Sequence, residues 1–270
     1  MPELPEVETT VRGLSQVLTG EKIIEVKVCR SNLRRPIPYD IQERLIGSTI
    51  ISFDRRAKYG IIFNDREDAL IFHLGMSGRW KINPETIEKH DHFILKTENN
   101  RCVSLYDPRR FGSLDLIKTK DLLIWPYFKK LGPEPLTGDF NLEYLKSRLA
   151  RSATSIKKLL LNQQVVAGVG NIYACEALYQ AGVHPERSGN SLNKQEIASI
   201  IEAIKEILQK AIAEGGSTLK DYARPSGELG YFSAQFKVYG KEDALCECGA
   251  TIERSVMGGR STFFCSSCQK

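Results

Sequence analysis

Histidine is scarce in this chain, with four in 270 residues, and no local spacing of them suggests a catalytic metal site. No apolar run reaches the length of a membrane span, and no signal peptide opens the chain, so a cytosolic protein without a membrane anchor is expected. Internal repeats and low-complexity segments are absent, which excludes a repeat architecture. Cysteine is sparse until the end. Cys29, Cys102 and Cys175 stand alone and read as ordinary buried thiols of a reducing compartment. The other four crowd the last 25 residues, which asks for a metal instead. An acidic excess is also lacking: the formal net charge is +5. That balance permits a polyanionic partner without requiring one. The clustering of the cations says more. Arg30-Ser31-Asn32-Leu33-Arg34-Arg35, Arg55-Arg56-Ala57-Lys58 and Arg109-Arg110 favour a nucleic-acid footprint over an evenly solvated surface.

The length allows two domains and a small appendage. Val7, Val11, Leu14 and Leu18 share one face of a helix expected over Val7–Leu18, which Gly20 ends. Ile24, Val26 and Val28 alternate with polar residues, and Thr49–Phe53, Gly60–Phe63, Ala69–Leu74, Phe93–Thr97 and Cys102–Tyr106 also read as strands. Strands so closely spaced suggest a sandwich or a barrel. Leu131-Gly132-Pro133-Glu134-Pro135-Leu136 reads as a linker. Helices are expected beyond it over Leu142–Ala150, Ser155–Leu161, Asn171–Ala181 and Asn193–Glu214, followed by a polar loop over Lys220–Gly230 and short β pieces around the cysteines.

The first residues carry the most chemistry. A proline at a free N-terminus is a secondary amine, and removal of Met1 would make Pro2 one. Such an amine can attack a sugar aldehyde carbon and form an iminium ion, with Glu3 one residue away as a proton donor. The alternative is that Pro2 and Pro5 punctuate a helix start whose dipole Glu3 and Glu6 complement. Cys246-Glu247-Cys248 and Cys265-Ser266-Ser267-Cys268, sixteen residues apart, match a tetrahedral structural zinc site. Two unrelated thiol pairs are the alternative. The first pair is C-x-C where zinc ribbons use C-x-x-C, so the chain must bend at Glu247 or distort the site. Asn171 follows Ala167-Gly168-Val169-Gly170 and reads either as a helix N-cap or as part of a phosphate-binding helix start. Asp107-Pro108-Arg109-Arg110-Phe111-Gly112 sets two guanidiniums beside an aromatic, either as an exposed turn or as a base-contacting wedge. Met76 alone reads as core filler at a strand end. His90 and His92 frame Asp91 as a possible phosphate or acid/base cluster.

Taken together, PELPEVET from Pro2, Arg55–Tyr59 (RRAKY), His73–Gly78 (HLGMSG), Asp107–Gly112 (DPRRFG), Val169–Tyr173 (VGNIY), Gly215–Asp221 (GGSTLKD), Gly230–Phe232 and the terminal Cys-Gln-Lys resemble the bacterial formamidopyrimidine-DNA (8-oxoguanine-DNA) glycosylase family from end to end. HLGMSG and DPRRFG favour this branch over the related endonuclease VIII group. The resemblance implies an α+β multidomain fold. An N-terminal catalytic β-sandwich with its N-terminal helix (1–131) would precede a helix–two-turns–helix DNA-binding domain (132–233) and a zinc-ribbon β-hairpin (234–270). Double-stranded DNA containing oxidised purines or abasic sites would cross the cleft between domains and bind a monomer, with one structural Zn2+ held by Cys246, Cys248, Cys265 and Cys268.

The damaged nucleotide would be flipped out, at a cost of a few kcal/mol. Met76, Arg109 and Phe111 would fill the space left behind, with Arg109 reading the opposite cytosine. Pro2 would attack C1′ while Glu3 protonates the ring oxygen. Lys58 would serve β-elimination, and Arg260 δ-elimination. Asn171, Lys157 and His90 would contact DNA. Ser152, in Arg151-Ser152-Ala153, falls where some relatives have a DNA-contacting lysine, which implies weaker phosphate binding and a shallower salt dependence. The rival readings are a preference for oxidised pyrimidines and a lesion-binding protein without catalysis. Retention of Pro2, Glu3, Lys58 and Arg260 speaks against the second.

Overall fold

The computed structural model describes residues 1–217 and 232–270, and the expected Lys220–Gly230 loop lies outside them. The chain divides into two compact units, Met1–Lys129 with Glu214–Ser233, and Lys130–Ala213 with Ala234–Lys270.

In the first unit, helix α1 spans Leu4–Leu18, three residues more than the apolar spacing suggests. Pro5 is tolerated in its first turn because the N–H it lacks would have no intrahelical partner there. Strands β1 (Ile23–Val28), β6 (Asp91–Thr97), β7 (Cys102–Tyr106) and β5 (Arg79–Ile82) form one antiparallel sheet in the order β1-β6-β7-β5. Strands β2 (Ile50–Arg56), β3 (Tyr59–Asn64), β4 (Asp68–His73) and β8 (Ser113–Lys118) form a second, in that order. One core joins them. Phe72, Leu70, Ile62 and Leu114 from the second sheet pack with Trp80, Phe93, Leu95 and Leu105 from the first, and with Val7, Val11, Leu14 and Leu18 of α1. Burying each such side chain is worth about 1.5–3 kcal/mol relative to leaving it exposed. Strands β5 and β8 and the short helix α2 (Ile41–Leu45) are absent from the sequence reading. Arg79-Trp80-Lys81-Ile82 does alternate polar and apolar residues, but over only two periods, the shortest run that such a pattern can mark.

In the second unit, α3 (Leu142–Leu149), α4 (Ile156–Leu161), α5 (Asn171–Gln180) and α6 (Lys194–Ala213) lie close to the expected helices. Helix α6 buries Ile197, Ile200, Ile201, Ile204, Ile207 and Leu208 along one stripe. Strands β9 (Glu253–Met257) and β10 (Arg260–Phe264) pair as a hairpin, with Arg260 opposite Met257. Gly258 and Gly259 are its two turn residues, both at positive φ (58° and 73°). Tight hairpin turns of this kind need that conformation twice, which glycine adopts without strain. Cys175 and Tyr179 of α5 pack with Val238, Ile252, Phe263 and Cys265, so hairpin and helices share one core.

Candidate nucleotide-lesion site and zinc centre

The N-terminal residues are buried and fixed. Pro2 is buried, and Glu3 and Glu6 are each 1% exposed. The Glu3 N–H donates to Glu6 Oε2 at 2.8 Å, which satisfies an N–H that the helix itself leaves open. Glu6 Oε1 accepts from the Ser217 N–H (2.8 Å) and the Ser217 hydroxyl (2.9 Å). One buried carboxylate therefore ties the start of α1 to a segment 211 residues away. The opening proline motif thus starts the helix, and it leaves Pro2 and Glu3 buried at its head.

Lys58 stands with Ala57 in the turn between β2 and β3, and it is only 7% exposed. Ala57 has φ 54°, and its carbonyl accepts from Arg55 Nη1 at 3.0 Å, while Arg55 Nε donates to Glu8 of α1 at 2.9 Å. His73, at the end of β4, packs its ring on Tyr59 (4.8 Å between centroids) and accepts the Gly75 N–H at 3.0 Å. Burial first, then the charges of Lys58, Arg34 and Arg35, push its pKa down to about 3. It is therefore neutral at physiological pH, beside a cluster of cations.

The HLGMSG and DPRRFG loops interlock through Asp107, which is fully buried. Its carboxylate accepts from the Ser77 hydroxyl (2.9 Å) and the Gly112 N–H (2.8 Å). A Cβ at Gly75 would lie 2.3 Å from the Phe111 carbonyl carbon, so only glycine permits this approach. The pair of loops presents Met76, half-buried, with Arg109 and Phe111 exposed, and the Arg109 guanidinium lies over the Phe111 ring at 5.0 Å. Met76 is thus not core filler.

The expected His90–Asp91–His92 cluster is corrected by the fold. Asp91 is buried and accepts from Ser104, Lys81 and the Glu88 N–H. His92 is buried, its Nε2 hydrogen-bonded to the Asp107 carbonyl (2.9 Å), and burial lowers its pKa. Only His90, stacked edge-on against Tyr106, keeps partial exposure.

In the second unit, Gly170 and not Asn171 is the N-cap of α5. Asn171 is the first helical residue, and its Nδ2 donates to the Ser261 carbonyl at 2.8 Å. Gln163, which the sequence reading missed, shapes the preceding loop by accepting the Gly168 N–H and donating to the Val169 carbonyl, both at 2.8 Å. Arg260 is exposed beside the hairpin turn. Lys157, expected at the DNA, is 0% exposed and donates to the Ser261 carbonyl (3.2 Å) and the Thr262 hydroxyl (2.5 Å). Ser152 is half-buried in a local turn, where its hydroxyl accepts the Thr154 N–H at 3.3 Å.

Cys246, Cys248, Cys265 and Cys268 converge, with their sulfurs all within 4.8 Å of one another. The Cys246–Cys268 and Cys248–Cys265 separations are 3.7 and 3.6 Å. A tetrahedron with Zn–S bonds of about 2.3 Å has edges of about 3.8 Å, so the four thiols fit one structural zinc. The short spacing does not fall on Glu247 alone. The chain turns over Cys246–Ala250, closed by Gly249 N–H to Cys246 O (2.9 Å) and Cys246 N–H to Ala250 O (2.7 Å). The Tyr179 hydroxyl lies 3.2 Å from Cys246 Sγ, a partner sequence spacing does not reveal.

Three family profiles match in order: the formamidopyrimidine-DNA glycosylase N-terminal domain over residues 1–114, the formamidopyrimidine-DNA glycosylase H2TH domain over 131–223, and the zinc finger found in FPG and IleRS over 247–270. The formamidopyrimidine-DNA glycosylase of Zymomonas mobilis is 74% identical over 270 residues, and that of Novosphingobium aromaticivorans is 54% identical, with both chains of each pair covered in full. A Lactococcus lactis FPG variant crystallised with a Fapy-dG-containing DNA superposes with a TM-score of 0.93 at 38% identity, covering 100% of both chains. The Lactococcus lactis enzyme with abasic-site DNA gives 0.92 at 38% identity over 99% of both, and Thermus thermophilus MutM gives 0.90 at 39% over 99% of this chain and 98% of that one. The interlocked loops, the buried Pro-Glu start and the four-cysteine centre are accordingly those of a bacterial formamidopyrimidine-DNA glycosylase, the family to which this chain belongs.

Proposed function

We propose that Pro2, freed by removal of Met1, is the nucleophile of a bifunctional DNA glycosylase and AP lyase that excises oxidised purines, chiefly 8-oxoguanine and formamidopyrimidines, from double-stranded DNA. The observation that carries this is the buried Pro2–Glu3 pair, held at the head of α1 by Glu6. The Pro2 nitrogen bonds to C1′, the damaged base leaves, and Glu3 delivers a proton to the ring oxygen as the sugar opens. The resulting iminium acidifies the C2′ proton. Its loss expels the 3′ phosphate, with Lys58 as proton donor and phosphate ligand. A second elimination, assisted by Arg260, expels the 5′ phosphate, and hydrolysis of the iminium returns the amine.

Met76, Arg109 and Phe111 fill the place of the flipped nucleotide, with Asn171 and His90 on the phosphates. Their support is the rigid two-loop platform and the exposure of Arg109 and Phe111. The four cysteines hold a zinc that orders the hairpin carrying Arg260. Three segments divide the work: 1–131 for chemistry, 132–233 for DNA binding and 234–270 for the zinc hairpin. The enzyme acts as a cytoplasmic monomer on the bacterial chromosome.

Borohydride added during turnover of 8-oxoguanine duplex is expected to reduce the iminium and leave a covalent protein–DNA adduct. Pro2→Gly should lower cleavage strongly, although its primary amine can still form an imine. Equal trapping after chemical blocking of the N-terminus would refute Pro2. Faster nicking of oxidised-pyrimidine duplexes than of 8-oxoguanine duplexes would refute the purine preference.

A further inference from the structure

We infer that Lys157 is a positioning residue for Arg260, acting through strand β10 and not on DNA. The inference rests on the role proposed above for Arg260 in the second elimination.

An ammonium removed from water loses several kcal/mol of hydration, so a wholly buried lysine is retained where its hydrogen bonds matter. Lys157 is 0% exposed, and two of its three donors go to consecutive hairpin residues, the Ser261 carbonyl and the Thr262 hydroxyl. A side chain without exposure cannot meet a phosphate in this conformation. The Ser261 carbonyl has two lone pairs, and Asn171 Nδ2 takes the other at 2.8 Å. One carbonyl is thus gripped from α4 by Lys157 and from α5 by Asn171.

That carbonyl belongs to the residue after Arg260. Arg260 itself directly follows the Gly258–Gly259 turn, where the chain is otherwise tethered by its pairing with β9. Glycine turns leave such a tip conformationally free. The clamp at Ser261 and Thr262 removes that freedom one residue from the guanidinium. It also links two residues of the reaction: the amide expected on a phosphate grips the carbonyl of the residue that follows the arginine expected at the second elimination.

The test is a double-mutant cycle read as the ratio of doubly to singly cleaved strand on abasic-site DNA. Lys157→Met keeps the stem and removes the ammonium. It should lower the ratio about fivefold or more, as should Arg260→Ala, and the double variant should fall no further than the lower single. Thr262→Val removes the hydroxyl that Lys157 reaches. Thr262 is itself 0% exposed, so a loss in the same direction would report the hairpin and not a DNA contact. Zinc content and melting temperature, unchanged in Thr262→Val, exclude general unfolding. Multiplying losses in the double variant, or a wild-type ratio in Thr262→Val, would overturn the clamp. A wild-type ratio in Arg260→Ala would instead refute the role of Arg260 and leave Lys157 no reaction to serve.

Discussion

Single buried carboxylates organise this protein. Glu6 holds the start of α1 to Ser217, Asp107 locks the HLGMSG and DPRRFG loops together, and Glu176 of α5 accepts the N–H groups of Lys237, Val238 and Tyr239 at 2.7–3.0 Å. Each is an acceptor surrounded by fixed donors, an arrangement that rigidifies when every bond is made. Arg109 is the opposite case, an exposed fork resting on Phe111. It can donate two hydrogen bonds to the acceptor edge of an orphaned cytosine but meets a poorer match in adenine. One such contact discriminates by about 1–3 kcal/mol. Excision opposite cytosine should therefore be much faster than opposite adenine, and Arg109→Ala should flatten that ratio in single-turnover assays. His73 makes a stability prediction. Its folded pKa, about 3, lies below the unfolded value of about 6.5. Above pH 6.5 both states are neutral and the residue contributes nothing. Below it the unfolded chain takes a proton that the folded one refuses, so stability falls until about pH 3. Between pH 7 and pH 5 this costs about 2 kcal/mol. Urea unfolding at those two pH values should show that drop, reduced by about this amount in His73→Asn.

At the scale of elements, the zinc hairpin is the piece that cannot stand alone. Its strands are five residues each, and several of the apolar residues it buries also serve α5. Metal binding must supply much of its folding free energy. Burial alone would raise the Cys246 pKa, but hydrogen bonds from the Cys248 backbone and Tyr179 outweigh it and hold the pKa below the usual thiol value. Purified protein should carry one zinc per chain. A strong chelator should abolish DNA binding while the emission of Trp80 and Trp125, the only two tryptophans, stays unchanged, because both belong to the first unit. Fully active, zinc-free protein would refute the metal's role. Helix boundaries were legible where the apolar spacing ran for two turns or more, at both ends of α6 and at the C-terminal end of α1, whereas the start of α1 lies three residues before its first spaced apolar residue. The N-cap of α5 was not, because Gly170 and Asn171 are both acceptable caps and only the pull of Ser261 on the Asn171 amide decides between them.

For the whole molecule, the net charge of +5 is small and its distribution counts for more. Ser152 stands beside Arg151 in a local turn, where a lysine would add a second cation. Ser152→Lys should tighten DNA binding and steepen the slope of log K against log salt by about one, measured by fluorescence anisotropy at several salt concentrations. An unchanged slope would mean that this turn does not face the phosphates. No helix among the described residues is long and apolar enough to cross a membrane.

The sequence by itself determined the family, the order of the segments and the chemistry at hand. A secondary amine next to a carboxylate, a thiol quartet in two pairs and an arginine–phenylalanine loop are properties of residue type and short spacing, and they survive without a fold. Tertiary structure decided where the side chains lie and which partners they meet. It withdrew Lys157 from the surface, turned His92 and Asp91 into structural groups, and gave Glu6, Asp107 and Tyr179 partners that no local pattern marks. The reason is the range of the contacts. Glu6 meets Ser217 across 211 residues, and Lys157 meets Ser261 across 104. Periodicity reports which face of an element is buried, whereas the partner of a buried polar group is set only when distant segments close on one another.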